Sequence, residues 1–341
     1  MKQRNRTSAA VAGGVAIGAA ACIAVGKALW DRANAKAVVR LLAGVEDLPP
    51  GSYSPDEIAG LPAPVQRYFA FALTPGQPYV QRVRAVQSGE FRMGGIHSRW
   101  RPFTAVQHFT SRAPGFVWDA HIQVVPLLTV RVRDSYIRGT GAMQVRLASL
   151  LPLVNQSGKP DLATGALHRY LAEAVWLPTA LLPSQGVVWQ PIDDCSARAT
   201  LADNGNSVSL DFTFGERGEI VRCYTATRSR DVKGASMPAP WACTYRNYGR
   251  VEGMMIPLSG EAEWILPEGK LPYCRMEIRR IEFNGRLPAR TSTAARKLRS
   301  VQDGASRAQQ SSVSRSGQQR QAGMIVGLID SPLLFMVPER A

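Results

Sequence analysis

GFVWDAHIQVVPLLTVRVRDSYIRG, residues 115–139, decides the architecture, because it holds two runs with a period of two, divided at a proline. Successive side chains on a strand point to opposite faces, so such alternation predicts half-buried β-strands. The pattern extends outward in both directions. Upstream lie YVQRVRAVQSGEFRM and SRWRPFTAVQHFTSR, and downstream AMQVRLASLL, GVVWQP, CSARATLA, SVSLDFTFG, EIVRCYTATRSR, ACTYRNYGRVEG, MMIPLSGEAEWIL and YCRMEIRRIEFN. ADNGNS and GERGE separate neighbouring runs as hairpin turns. Closely spaced strands without intervening helices predict an antiparallel meander. The expected fold is α+β and mainly β: one large curved antiparallel sheet, half-barrel-like.

One segment breaks the pattern. In PDLATGALHRYLAEAVWLPTALL, residues 160–182, Leu167, Tyr170, Leu171, Ala174 and Val175 recur at helical spacing, and Pro178 ends or kinks the helix near Trp176. A lone amphipathic helix inserted in a meander is expected on the concave face of the sheet. Arg169 and Glu173, four apart, stack on one helix face with Trp176 beyond them, on the side away from Leu167 and Leu171. They are therefore expected to pair on the outer side of the helix. If that side is covered, Arg133 and Asp134 at a strand end join Arg169 and Glu173 in a structural charged cluster. Asp119, alternating with Trp118, is expected to face solvent.

The N-terminus reads differently. Lys2, Arg4 and Arg6 precede residues 8–26, SAAVAGGVAIGAAACIAVG, an uncharged stretch of nearly membrane-spanning length. This is a membrane anchor or signal-like segment, with Cys22 after a small-residue run that resembles a degenerate lipoprotein cleavage site. Lys27, Arg32, Lys36 and Arg40 follow it, and the body is placed outside the cytoplasm as a single-pass protein. The chain thus divides into an anchor (1–30), a helical collar and linker (31–78), a β-sheet domain (79–284) and a basic, disordered extension (285–341). Short helices are expected in the collar, including one with Val65, Tyr68, Phe69 and Leu73 on its apolar face.

The formal charge of +15 suggests nucleic acid until it is located. Residues 285–341 hold nine Lys or Arg against three Asp or Glu, and three more cations lie before residue 8, so no specific nucleic-acid face is expected. Cys195, Cys223, Cys243 and Cys274 show no CxxC and no paired His, which excludes a zinc site; buried free thiols are the expectation, and if the body is exported two disulfides in any of three connectivities stay open. No GxSxG elbow, HExxH, phosphate-binding loop or dinucleotide fingerprint is present. The four histidines are scattered. No catalytic residue, metal or cofactor is assigned.

PGFVWDA (114–120), RDSYIRGTGAM (133–143) and RYLAEAVWLPTALLPS (169–184), with the later SARAT, PW and IP segments, resemble a bacterial membrane-associated family catalogued as a domain of unknown function. The resemblance covers approximately residues 60–284, and it implies membership without a mechanism. By architecture, a curved sheet around a helix is similar to the lipoprotein-carrier half-barrels of bacterial envelopes, whose concave face holds acyl chains. The leading expectation is a membrane-tethered envelope protein that binds a lipid-like or other apolar ligand between sheet and helix, lined by Trp118, Leu167, Tyr170, Leu171 and Trp176. The alternatives are a hydrolase using Asp134 or Glu173 as acid or base, and a non-catalytic structural or assembly protein favoured by a filled concave face.

Overall fold

The structure, a computed structural model, describes residues 2–43, 45, 51–126, 128–232 and 235–285; the side chains of residues 2–17 and 19 lie outside the description. Three α-helices, α1 (Lys2–Leu42), α2 (Ala63–Ala72) and α3 (Pro160–Glu173), accompany thirteen strands among the described residues. These are β1 (Arg82–Arg92), β2 (Trp100–Thr110), β3 (Gly115–Val125), β4 (Leu128–Ile137), β5 (Thr140–Leu147), β6 (Leu151–Ser157), β7 (Val187–Asp193), β8 (Ser196–Asp203), β9 (Asn206–Phe214), β10 (Ile220–Val232), β11 (Ala235–Val251), β12 (Met254–Leu266) and β13 (Gly269–Phe283). All pair antiparallel in one unclosed sheet of order β6-β5-β4-β3-β2-β1-β13-β12-β11-β10-β9-β8-β7. The meander is as expected, with one strand more than its runs foretold. β6 was hidden by Pro152, which an edge strand tolerates because one row of its backbone groups needs no partner.

This order dictates where the helix goes. The chain leaves the sheet at one edge, β6, and must re-enter at the other, β7, so the connecting segment crosses a face. α3 makes that crossing, starting at Pro160, whose fixed φ suits a first helical turn. It ends at Glu173, and three short 3-10 turns (Ala174–Trp176, Pro178–Leu181, Pro183–Gln185) replace the longer helix expected to 182, because Pro178 and Pro183 cannot continue one. α3 touches both β5 and β10, which lie eight strands apart in the sheet order. A flat sheet would separate those strands by about 38 Å, well beyond the ~21 Å length of a helix of this size, so the sheet curves around α3. Tyr136 on β4 closes the same curve by donating to Asp203 of β8 at 2.8 Å. Gly141 makes the helix seat possible: a Cβ there would lie 2.5 Å from the Leu162 carbonyl oxygen.

α1 covers the opposite face. Gly26, Trp30, Asn34, Ala37 and Leu41 recur at three and four residues and are all buried. A Cβ at Gly26 would lie 2.6 Å from Leu150 Cδ2 and 3.0 Å from the Ser149 carbonyl oxygen, so glycine lets the helix approach the β5–β6 turn without displacing the Leu150 side chain. Val117, the outward partner of inward Phe116 and Trp118, packs on Ala37 and Leu41. β3 is consequently buried on both faces over its first four residues. α1 runs unbroken across the expected 30/31 boundary, since no Gly or Pro falls between Lys27 and Leu42. Among the described residues no helix is long and apolar enough to cross a membrane. Most side chains of the expected 8–26 anchor, and the whole 286–341 extension, lie outside the description.

Candidate functional site

Charge enters the core on α3. Arg169 donates to Asp134 Oδ2 on β4 at 2.8 Å and to Glu173 Oε1, one helical turn on, at 2.9 Å. Glu173 Oε2 accepts from Gln107 Nε2 at 2.7 Å, Gln107 Oε1 accepts from Gln87 Nε2 at 2.9 Å, and Gln87 Oε1 accepts from the Trp118 indole at 2.9 Å. The result is one hydrogen-bonded chain from β4 through α3 to β2, β1 and β3, with both glutamines at 0% exposure. The Arg169 guanidinium also lies over the rings of Trp118 and Phe116, at 4.6 and 5.0 Å. Burial raises the Glu173 carboxyl despite Arg169 and the Gln107 amide, which both favour its charged form. Burial works against the Arg169 cation too, but the two carboxylates raise it above the ordinary arginine value.

The expected cluster thus meets in three of its four members. Arg169 and Glu173 pair, but not on an outer, solvated side: β2, β3 and β4 curve over that flank of α3, so the far side of the helical wheel is interior. Arg133 is absent from the cluster because neighbouring strand residues face opposite ways. It instead donates to Asn34 of α1 at 2.7 Å and bonds Gln144. Asp119 does not face open solvent; it accepts from the Trp30 indole at 3.0 Å and from Arg131 at 3.1 Å. Gln87 and Gln107 were missed, although each shares the parity of the inward Ala85 and Ala105, a polar residue at a core position.

The five expected lining residues, Trp118, Leu167, Tyr170, Leu171 and Trp176, are between 0% and 3% exposed in one continuous core. Their polar atoms meet protein: Tyr170 donates to the Thr110 carbonyl at 2.9 Å and Trp176 to that of Pro257 at 3.0 Å. A cleft of about 320 Å³ lies elsewhere, on the outer face between α1 and the β1–β3 region. Val38 and Leu42 form its helix wall, Val106 and Val117 its sheet wall, and Arg82, Arg84, His108, Asp119 and Glu282 its polar margin. Among the described residues no group of three His, Cys, Asp or Glu side chains is placed to hold a metal.

Two histidines are held neutral. His168 on α3 donates from Nδ1 to the Thr164 carbonyl at 3.0 Å, and burial, aided by Arg228, lowers it to about 4. His108 in the cleft is lowered to about 4 by burial and then Arg84. An unfolded histidine titrates near ~6.5, so on acidification the unfolded chain takes up the proton first. The stability these groups contribute is therefore complete above about pH 6.5 and is lost as pH falls towards 4, on the order of 3 kcal/mol for His168. Glu173, raised by burial, has the opposite slope. Urea midpoints of wild type and His168→Gln at pH 7 and pH 5 separate the two: the variant is expected to lose less on acidification.

A protein-family model matches residues 59–283. The chain belongs to the family of unknown function DUF6920. The matched region of this DUF6920 chain spans α2, the sheet and α3, and leaves out α1 and the residues after 283. No curated protein matches the sequence. Among solved structures the DUF6920 chain is similar to a candidate outer membrane lipoprotein-sorting protein domain from Vibrio parahaemolyticus (9% identity, 62% of this chain and 88% of that one, TM-score 0.36). It is also similar to a LolA superfamily protein from Nitrosomonas europaea (12% identity, 67% and 94%, TM-score 0.36). A third is a β-barrel-like protein of domain of unknown function DUF1849 from Brucella abortus (9% identity, 61% and 99%, TM-score 0.25).

Proposed function

We propose that this chain is a membrane-tethered protein of the bacterial envelope that holds a lipid-like ligand in the cleft between α1 and the outer face of the sheet. The observation that carries the reading is the cleft itself: about 320 Å³, with Val38, Leu42, Val106 and Val117 as walls and Arg84 at the margin. That volume falls at the lower end of small-molecule sites, and apolar walls with a few polar groups are their usual make-up. Arg84, loosely paired with Glu282 at 4.0 Å and 43% exposed, supplies a cation for an acidic headgroup. The tether supports the same reading. The uncharged 8–26 stretch, read as that tether, continues without a break into the docked turns of α1, so one helix leads from it to the cleft. Leu150, which meets α1 at Gly26, its neighbour Leu151, and Ile23, Val25 and Leu29 on the helix are exposed apolar side chains, suited to a bilayer boundary.

Native mass spectrometry of the full chain released from mild detergent tests the ligand. A reproducible added mass that disappears on organic extraction, together with rebinding of a fluorescent fatty acid, is expected. Val106→Trp, which fills the cleft from the sheet side, should weaken that rebinding by at least about tenfold, the equivalent of ~1.4 kcal/mol. Unchanged rebinding in Val106→Trp would place the ligand elsewhere, and an apo mass with no rebinding would remove the reading. One observation favours a second reading, a non-catalytic assembly protein: the residues expected to line a concave pocket are packed against protein on every side.

A further inference from the structure

We infer that Cys223 and Cys243 are a cross-strand dithiol that closes to a disulfide when the folded chain meets an external disulfide, of either the small-molecule or the oxidoreductase class. The two residues are direct register partners on β10 and β11. Both belong to the inward face of the sheet, Cys223 fully buried and Cys243 half-buried against the same core. Directly opposed residues of an antiparallel pair have Cα atoms about 4.5–5.5 Å apart, inside the range of about 4.4–6.8 Å that a disulfide spans. Beyond the effect of burial, each thiol acts on the other's proton, Cys243 lowering Cys223 and Cys223 raising Cys243, as neighbouring groups do.

Register also rules out the other partners. Cys243 pairs with Ala262, and Ala262 with Cys274, so Cys243 and Cys274 are two strands apart. That is about 10 Å, beyond the roughly 7 Å limit for bridging without backbone movement. Cys195 is exposed in the turn between β7 and β8, with the whole of β9 between it and β10. Of the three connectivities the sequence leaves open, one contains 223–243, and its other pair, Cys195 and Cys274, lies several strands apart and stays as thiols.

Burial suits the two sulfurs to different steps. Cys243 is half-buried and so the one of the two that an external disulfide can reach. Burial and then Cys223 raise its thiol, so a minor thiolate fraction attacks, its proton passing to solvent as a Cys243–external S–S bond forms and one external sulfur leaves as a thiol. Burial opposes a Cys223 thiolate, but the neighbouring Cys243 thiol favours it, and the net direction for this thiol is down. Cys223 then attacks Cys243 Sγ, the mixed disulfide breaks and the second external thiol leaves. Two electrons and two protons pass from the cysteines to the external disulfide, which is reduced to two thiols. Tyr245 donates to the Ala172 carbonyl at 2.8 Å, so the pair sits directly beneath the end of α3.

The test treats the purified full chain with oxidised dithiothreitol, blocks remaining thiols by alkylation and maps peptides without reduction. The expected result is one cross-linked species joining the Cys223 and Cys243 peptides, lighter by two hydrogens, with Cys195 and Cys274 alkylated. Cys243→Ser should abolish the link and leave Cys223 alkylated after unfolding. Alkylated Cys223 and Cys243 in the oxidised wild type, or either one linked to Cys195 or Cys274, would overturn the inference.

Discussion

Arg169→Met should lower the stability of the folded chain by about 3–5 kcal/mol, the usual result of removing one partner from a buried ion pair. The cost arises from what remains. Asp134 and Glu173 are each no more than 10% exposed at the side chain, and both rely on the same guanidinium. Without it, two carboxylates face each other in the core, and one must take up a proton or draw in water. Glu173→Gln is expected to be far milder, within about 1 kcal/mol. It leaves one arginine against one aspartate, and the glutamine oxygen can still accept from Arg169 or from Gln107. Guanidinium chloride midpoints of the two variants decide this. Equal losses would mean that Glu173 is charged and indispensable in the folded chain; a negligible loss in Arg169→Met would mean that the network contributes alignment of α3 rather than stability.

Trp30→Ala should detach α1 from the sheet while leaving the sheet folded. Trp30 is 2% exposed, donates to Asp119, and lies beneath the guanidinium groups of Arg131, Arg133 and Arg146 at 5.3–5.8 Å. Truncating a buried tryptophan costs about 3–5 kcal/mol, and here the loss also removes a cation–π partner from three arginines. Apart from Trp30 the helix keeps the Asp31–Arg131 ion pair at 3.0 Å, the Asn34–Arg133 hydrogen bond at 2.7 Å and the packing of Ala37 and Leu41 on Val117, none of which replaces a buried indole. Hydrogen exchange followed by mass spectrometry should show residues 27–42 losing protection while β8–β12 keep theirs. Protection unchanged in α1 would mean that Gly26, Asn34 and Leu41 suffice to dock it. If the cleft holds the ligand, the same variant should also lose ligand binding, since Val38 and Leu42 leave with the helix.

Much of this protein is a local property of its sequence. Period-two runs, proline breaks and Gly- or Asn-containing turns set the strands, because a strand's alternation is written residue by residue. The recurrence of Leu167, Tyr170 and Leu171 set α3 in the same way. β6 escaped because a single proline, harmless at an edge, disguises a short strand. The tertiary structure decided what faces what. The helical wheel places Arg169 and Glu173 opposite Leu167, but whether that side meets water depends on how far a thirteen-stranded sheet curves, which no window of sequence contains. The same is true of β3, whose Asp119 reads as solvent-facing until Trp30 of α1 meets it from nearly ninety positions away. The pairing of Cys223 with Cys243 rests on register, and register is fixed by which strands are neighbours rather than by the spacing of cysteines along the chain.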